Sequence, residues 1–356
     1  MKKLTVNKLV PGMVTAENVY TYTNQLILPK GLVLTDKSIT KLEFYSILRI
    51  SVEDDVVPTA PVDEAKSYSQ RVRESQEFKE YKKNFESSIV EFKKNIDAFV
   101  DKNIELNPDE LLKQVLSLMN PPSCRINVFT MLHNMRMYDD LTYAHCINTS
   151  LVCNVIATWM KLSEEDIHLV TLSGLLHDIG KIRIPDTIIK KKVKLSEREY
   201  EVVKTHTIEG YNLLKNTSIN EHVKNAALMH HERFDGSGYP MGLVGNKIDY
   251  YARIVAVADV YEAMTSARVY RGPLCPFTAL SIFISEGLQK YDPEVILPFM
   301  QNIVTTHIGS RVRLNNGVEG DIVYINQASP VSPTIKCGTK YIDLSQETDL
   351  SIDCII

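Results

Sequence analysis

Apolar positions along this chain change their spacing several times, and each change marks a new kind of element. Near the start, Leu26-Ile27-Leu28 and Leu32-Val33-Leu34 flank Pro29-Lys30-Gly31, which predicts strand, turn, strand. Thr35 or Asp36 would cap a short helix, and Ile47 to Val52 predicts a further strand. Residues 53–65 carry two prolines and five acids and read as a linker. From 66 to 103 the spacing becomes helical: Phe78, Phe85, Phe92 and Phe99 recur every seven residues, with Ile89 and Ile96 interleaved. Packing of this stripe on the chain's own domain is the preferred reading; a homodimer seam is the alternative. Asn107-Pro108-Asp109-Glu110 is a helix start, with a capping residue, a first-turn proline and acids that suit the helix dipole. The pattern then stays helical to about Thr306. Ser163 with Asp166 and Ser196 with Glu199 form capping boxes, and Pro121-Pro122, Pro185 and Pro273 punctuate the run. Beyond Thr306, Asn315-Asn316-Gly317 between alternating runs predicts a hairpin in a small, barrel-like β appendage. The expected fold class is mainly α: a helical bundle at 107–305, preceded by a β-containing module (1–57) and a linker with helix (58–106), and followed by a β module (306–356).

Composition narrows the functional classes. At 356 residues, 44% of them hydrophobic and 24% charged, the chain has material for two or three domains. A net charge of −4, with no alternation of aromatic and basic residues, gives no reason to expect nucleic acid. Six cysteines without CxxC spacing argue against a disulfide framework or a zinc knuckle and fit a reducing compartment. No run of 18 apolar residues occurs, and Lys2-Lys3 is followed by no signal-type apolar stretch. The expectation is a cytoplasmic protein without a membrane partner.

The chemistry concentrates in the helical region. His177-Asp178 ends an apolar helix, His145 heads another, and His206 follows in His206-Thr207-Ile208-Glu209-Gly210. His230-His231 ends the run Ala226 to Met229, with Glu232 and Asp235 before the turn Gly236-Ser237-Gly238-Tyr239-Pro240. Asp259 lies in the hydrophobic stretch from Ile254. So many ionisable groups are costly to bury unless they share partners, and divalent cations would satisfy them together. Imidazole and carboxylate donors without thiolate suit iron, manganese or zinc, and a bimetallic site serves phosphoryl displacement.

The series His177-Asp178-x-Gly180-Lys181, His206-x-x-x-Gly210, His230-His231-Glu232-x-x-Asp235-Gly236-x-Gly238-Tyr239-Pro240 and Asp259-x-Tyr261-x-Ala263 resembles the HD-GYP branch of the HD phosphohydrolases. That resemblance covers roughly His145 to Arg271. It implies an HD-type helical bundle that hydrolyses cyclic di-GMP to linear pGpG, and in some members onward to GMP, with a hydroxide held between two divalent ions, iron or manganese. It implies metal ligands His145, His177 and Asp259 on one ion and His206, His230 and His231 on the other, with Asp178 bridging. Lys181 matches a contact to substrate phosphate beside the catalytic Asp178, Arg268 and Arg271 match guanine and phosphate contacts, and Tyr239 shapes the pocket mouth. Two departures stand out. Leu141 occupies the position where some members carry a glutamate for a third metal, so two ions are expected, although Asp139 and Asp140 are close. Lys190-Lys191-Lys192-Val193-Lys194 replaces the usual Lys-Pro-Gly. Other functions that fit the same residues are an HD phosphohydrolase acting on mononucleotides or on another cyclic dinucleotide, and a catalytically silent module that binds cyclic di-GMP.

Overall fold

The structure, a computed structural model, describes residues 2–10, 12–20, 26–34, 38–39, 42, 47, 49–53, 72–102, 104–119, 128–135, 141–191, 193, 195–266, 274–326 and 328–356. Arg268, Arg271, Thr35, Asp36, Pro121-Pro122, Asp139, Asp140, Lys192, Lys194, Pro273 and nearly all of the 53–65 stretch lie outside the described residues, as do the side chains of His133 and Leu141.

The N-terminal part has its own small core, built from residues such as Leu9, Leu28, Leu34, Leu42 and Ile50. Strand β1 (Lys2–Thr5) pairs antiparallel with β4 (Arg49–Val52), and β2 (Val19–Tyr20) pairs with β3 (Leu26–Leu28). Of the expected strand, turn, strand, Leu26–Leu28 forms β3, but Leu32–Leu34 does not pair with it among the described residues. Residues 32–34 run instead beside 12–15, through Gly12 N to Leu34 O (2.8 Å) and Thr15 N to Leu32 O (3.0 Å). The Thr15 hydroxyl locks this pairing by donating to Pro29 O at 2.7 Å and accepting from Leu32 N at 2.9 Å.

Helix α1 (Gln76–Lys102) turns its aromatic stripe inward. Phe78, Tyr81, Phe85, Ile89, Phe92 and Ile96 share one core with Leu111, Val115 and Leu118 of α2 (Pro108–Met119) and with the helices beyond. The face spelled by the phenylalanines is therefore covered within the chain, and two copies could meet along this helix only through its charged side.

Helices α3 (Val128–Asn134), α4 (Leu141–Trp159), α5 (Glu164–Leu176), α6 (Asp186–Ile189), α7 (Glu197–Lys204), α8 (His206–Leu214), α9 (Glu221–Met229) and α10 (Tyr250–Thr265) follow in chain order. Both expected boxes are present: Ser163 accepts from Asp166 N, and Ser196 and Glu199 cap α7 reciprocally. In α10, Ile254 through Asp259 are all buried, so it sits in the middle of the bundle, packed on α4, α5 and α9. Asp259 and Glu262 are the acids within this apolar helix, placed one turn apart on one side.

Helices α11 (Pro276–Glu286) and α12 (Pro293–Thr305) lead to β5 (Arg311–Leu314), β6 (Glu319–Tyr324), β7 (Thr334–Cys337), β8 (Lys340–Asp343) and β9 (Ile352–Ile355). The Asn-Gly hairpin joins β5 to β6 as expected. These strands form an open antiparallel sheet in the order β8-β7-β6-β5-β9, so no barrel closes among the described residues. Val312, Leu314, Ile322 and Ile335 of the sheet belong to the same buried cluster as Phe283, Phe299 and Ile303 of the last two helices. His307, at the junction, is buried beside Phe277, which pushes its pKa down to about 4.

No described helix is long and apolar enough to cross a membrane. The described cysteines are all free.

Candidate metal centre

Side chains from five helices or their ends converge on one point. Asp178, the second residue past the end of α5, is buried at the middle. His206 Nε2 lies 3.3 Å and His230 Nε2 3.8 Å from its Oδ1; His177 Nε2 lies 3.3 Å and His145 Nε2 3.4 Å from its Oδ2. Asp259 closes one flank, its Oδ1 3.0 Å from His145 Nε2 and 3.9 Å from His177 Nε2. On the other flank the His230 and His231 rings are 4.2 Å apart, and His231 Nδ1 lies 4.0 Å from Asp259 Oδ2.

The backbone decides which nitrogen each ring offers. A carbonyl oxygen can only accept, so a ring nitrogen bonded to one carries the proton. The Nδ1–H groups of His177, His206 and His230 donate to Gly174 O (2.8 Å), Val203 O (2.7 Å) and Ala226 O (3.0 Å). Each Nε2 is thereby left bare and turned inward. Burial lowers the pKa of His206 and His230, the latter far below the ordinary imidazole range, and brings His231 down to about 3. Burial opposes ionisation of Asp178, yet Lys181 and His177 hold its carboxyl well below the carboxylate range. Asp259 is likewise held low against its burial, chiefly by His145. The neutral imidazoles of His206, His230 and His231 facing ionised carboxylates are a donor set for divalent metal.

Three groups of donor atoms each lie within 4.8 Å of one another: His206–His230–His231, His145–His177–Asp259, and His177–Asp178–His230. His177 Nε2 and Asp178 Oδ1, facing different sides of the cluster, are both buried without a hydrogen bond, a cost that cations held there would remove. These residues fit the two ions the motif series calls for.

Close backbone approach explains the glycine two residues after Asp178. A Cβ on Gly180 would stand 1.9 Å from His206 O and 2.4 Å from Gly210 N, so only glycine lets the turn after Asp178 seat against the start of α8. Gly238 is similarly confined, with Arg233 N at 2.3 Å from its would-be Cβ. That loop is tied down by Glu232, whose buried carboxylate accepts from Met241 N (2.6 Å) and Leu243 N (2.9 Å). Asp235 accepts from Ser237 N. Neither acid joins the cluster; both hold the turn. Tyr239 stacks on His231 with ring centroids 4.7 Å apart, and Lys204 Nζ lies 5.5 Å over its ring. Lys181 pairs with Asp178 Oδ2. Lys190 and Lys191 of the basic run are paired with Asp186 and Glu199.

Glu262 went unread in the sequence. Its Oε2 pairs with His145 Nδ1, and its Oε1 accepts from Asn148 Nδ2 (2.9 Å) and Ser266 Oγ (2.5 Å). Burial would push the His145 pKa down, but Glu262 and Asp259 outweigh it and hold the imidazole up at about 9. The readable signal was an acid one helical turn past Asp259 in an otherwise apolar helix. Glu262→Gln should weaken metal binding by about 10–100-fold, as loss of a carboxylate orienting a ligating histidine does, while α10 stays folded. Metal titration of the variant checks this; unchanged affinity would reduce Glu262 to packing.

The sequence profile of the HD domain matches residues 110–295, more than half of the chain. The chain belongs to the HD domain family. This membership bears out the resemblance read from the motifs, and it implies divalent-metal binding. Among its relatives, the family member is 42% identical over 161 residues to the "Cyclic di-GMP phosphodiesterase response regulator RpfG" of Xanthomonas campestris pv. campestris, covering 44% of this chain and 42% of the relative. It is 33% identical over 211 residues to the "Cyclic di-GMP phosphodiesterase PA4108" of Pseudomonas aeruginosa, covering 59% and 51%. It is 41% identical over 162 residues to the "3'3'-cGAMP-specific phosphodiesterase 1" of Vibrio cholerae, covering 45% and 38%. The chain thus spans about half the length, or less, of these curated relatives.

Proposed function

We propose that this HD domain protein is a metal-dependent phosphodiesterase that hydrolyses cyclic di-GMP to linear pGpG, which could re-enter the site and be cut to GMP. The observation that carries the reading is the pair of three-ligand groups, His145–His177–Asp259 and His206–His230–His231, standing either side of Asp178. Two divalent cations held there, iron or manganese given donors of nitrogen and oxygen alone, would supply Lewis-acid charge and a water of lowered pKa for in-line attack on phosphorus. Cys146, whose thiol burial pushes well above the ordinary range, joins none of the donor groups among the described residues.

Asp178 is the bridging carboxylate in this reading, and its low pKa keeps it ionised. Lys181, already beside Asp178, neutralises a non-bridging phosphate oxygen of the substrate. Arg268 and Arg271 supply paired donors to guanine and phosphate, and Tyr239, stacked on His231, walls the mouth. With Leu141 at the position of the third-metal glutamate, two ions per chain are expected. Self-association of two copies and a cytoplasmic setting complete the proposal.

The likeness to a phosphodiesterase named for 3'3'-cGAMP favours one second reading, hydrolysis of a mixed cyclic dinucleotide. Protein purified without oxygen and supplied with iron or manganese would be given cyclic di-GMP, 3'3'-cyclic GMP-AMP and mononucleotides, with products separated by chromatography. The first reading expects kcat/KM for cyclic di-GMP to exceed the others by about 10²-fold. A preference for the mixed dinucleotide would install the second reading. Binding without any product would make the chain a silent receptor.

A further inference from the structure

A cavity of about 220 Å³ opens beside the metal centre. Asp178 and Lys181 form one side of it. α1 also lines it, through Phe92, Ile96 and Asp97, as does Tyr143 of α4. Because the HD domain profile begins at residue 110, the α1 wall is not part of the recognised domain. Tyr143 is held firmly: its ring meets Phe92 edge-on at 5.7 Å, Lys93 Nζ lies 5.6 Å over it, and its hydroxyl donates to Asp97 Oδ1 at 3.5 Å. That single long bond leaves most of the acceptor capacity of the half-buried Asp97 carboxylate to whatever enters the cavity.

We propose that α1 supplies the base-selecting wall of the substrate site, with Asp97 as the residue that distinguishes guanine from adenine. Pockets for whole drug-sized ligands measure about 300–1,000 Å³, so this one suits a single base and its ribose while the phosphate lies at the metal centre. The half-buried ring of Tyr143, backed by the buried Phe92 and Ile96, takes the flat purine, a contact every base can make. Discrimination falls to the acid. Guanine presents two donors side by side, N1–H and the N2 amino group, and an ionised carboxylate accepts from both. Adenine offers a donor beside an acceptor and would leave its N1 facing an oxygen. The substrate named here rests on the phosphodiesterase reading, but the choice of base can be measured apart from turnover.

The test uses the full, metal-loaded chain and Asp97→Asn, whose amide presents one donor and one acceptor and so complements adenine. Steady-state kinetics would compare cyclic di-GMP with cyclic di-AMP, and equilibrium dialysis would compare GMP with AMP. Wild type should favour the guanine compound in both, and the substitution should lower that ratio at least about tenfold, chiefly through KM and Kd. An unaltered ratio, or an equal loss for both nucleotides, overturns the proposal and leaves Asp97 a structural partner of Tyr143. A wild type with no base preference overturns it as well, even if hydrolysis proceeds. Should wild type hold GMP over AMP through Asp97 while leaving cyclic di-GMP uncut, the phosphodiesterase reading fails and the base pocket stands.

Discussion

Asp178→Asn should cut phosphodiester hydrolysis by at least about 10³-fold, near 4 kcal/mol of lost barrier lowering, and leave the protein with one bound metal ion or fewer. The two side chains have nearly the same shape, so the helical frame is unchanged, but asparagine brings no charge and one of its two ends becomes a donor. Whichever way it turned, an NH₂ group would face either His206 and His230 or His177 and His145, whose nitrogens now lie 3.3–3.8 Å and 3.3–3.4 Å from the carboxylate oxygens. A cation on that side would lose a ligand and meet a dipole of the wrong sign. Elemental analysis of the purified variant reads the metal content, product formation reads the rate, and a far-ultraviolet spectrum matching wild type shows that the frame survived. Two ions per chain and undiminished turnover would remove Asp178 from the centre of the mechanism.

Gly180→Ala is expected to destabilise the protein by about 3 kcal/mol and to weaken metal uptake at the same time. The added methyl meets backbone on both sides, His206 O at 1.9 Å and Gly210 N at 2.4 Å, so no side-chain rotation can make room. Relief requires the turn carrying Asp178 to part from α8, which carries His206, and those two residues are the link between the halves of the cluster. A denaturant midpoint and a metal titration should therefore move together. If the midpoint fell while affinity held, the close approach would matter for packing alone. No change in either would mean the backbone adjusts at no cost.

The cluster could be read from sequence because its residue types are expensive where they stand. Imidazoles and carboxylates at the ends of apolar helices need partners, and several in one region point to a shared one. The capping boxes and the Asn-Gly hairpin were legible because their chemistry is local. Glu262 escaped because it contributes through His145 rather than to the centre directly, and only distance reveals the contact. The phenylalanine stripe of α1 showed that something covers it without saying what. At the N-terminus, Pro29-Lys30-Gly31 marks a turn correctly, but Thr15, seventeen residues from Leu32, decides which strand the emerging segment joins. Local patterns do not encode a partner that distant.

The sheet at the end of the chain shares its oil with α11 and α12, and α1 shares its own with the first helices of the bundle. A fragment trimmed to residues 110–295 would therefore be skinned on two sides, with Ile96 and Phe92 gone from one and Val312, Leu314 and Ile322 gone from the other, and α12 severed near its first turn. Such a fragment would keep every metal ligand and still be sticky and short-lived, so its inactivity would say nothing about the chemistry of the intact chain.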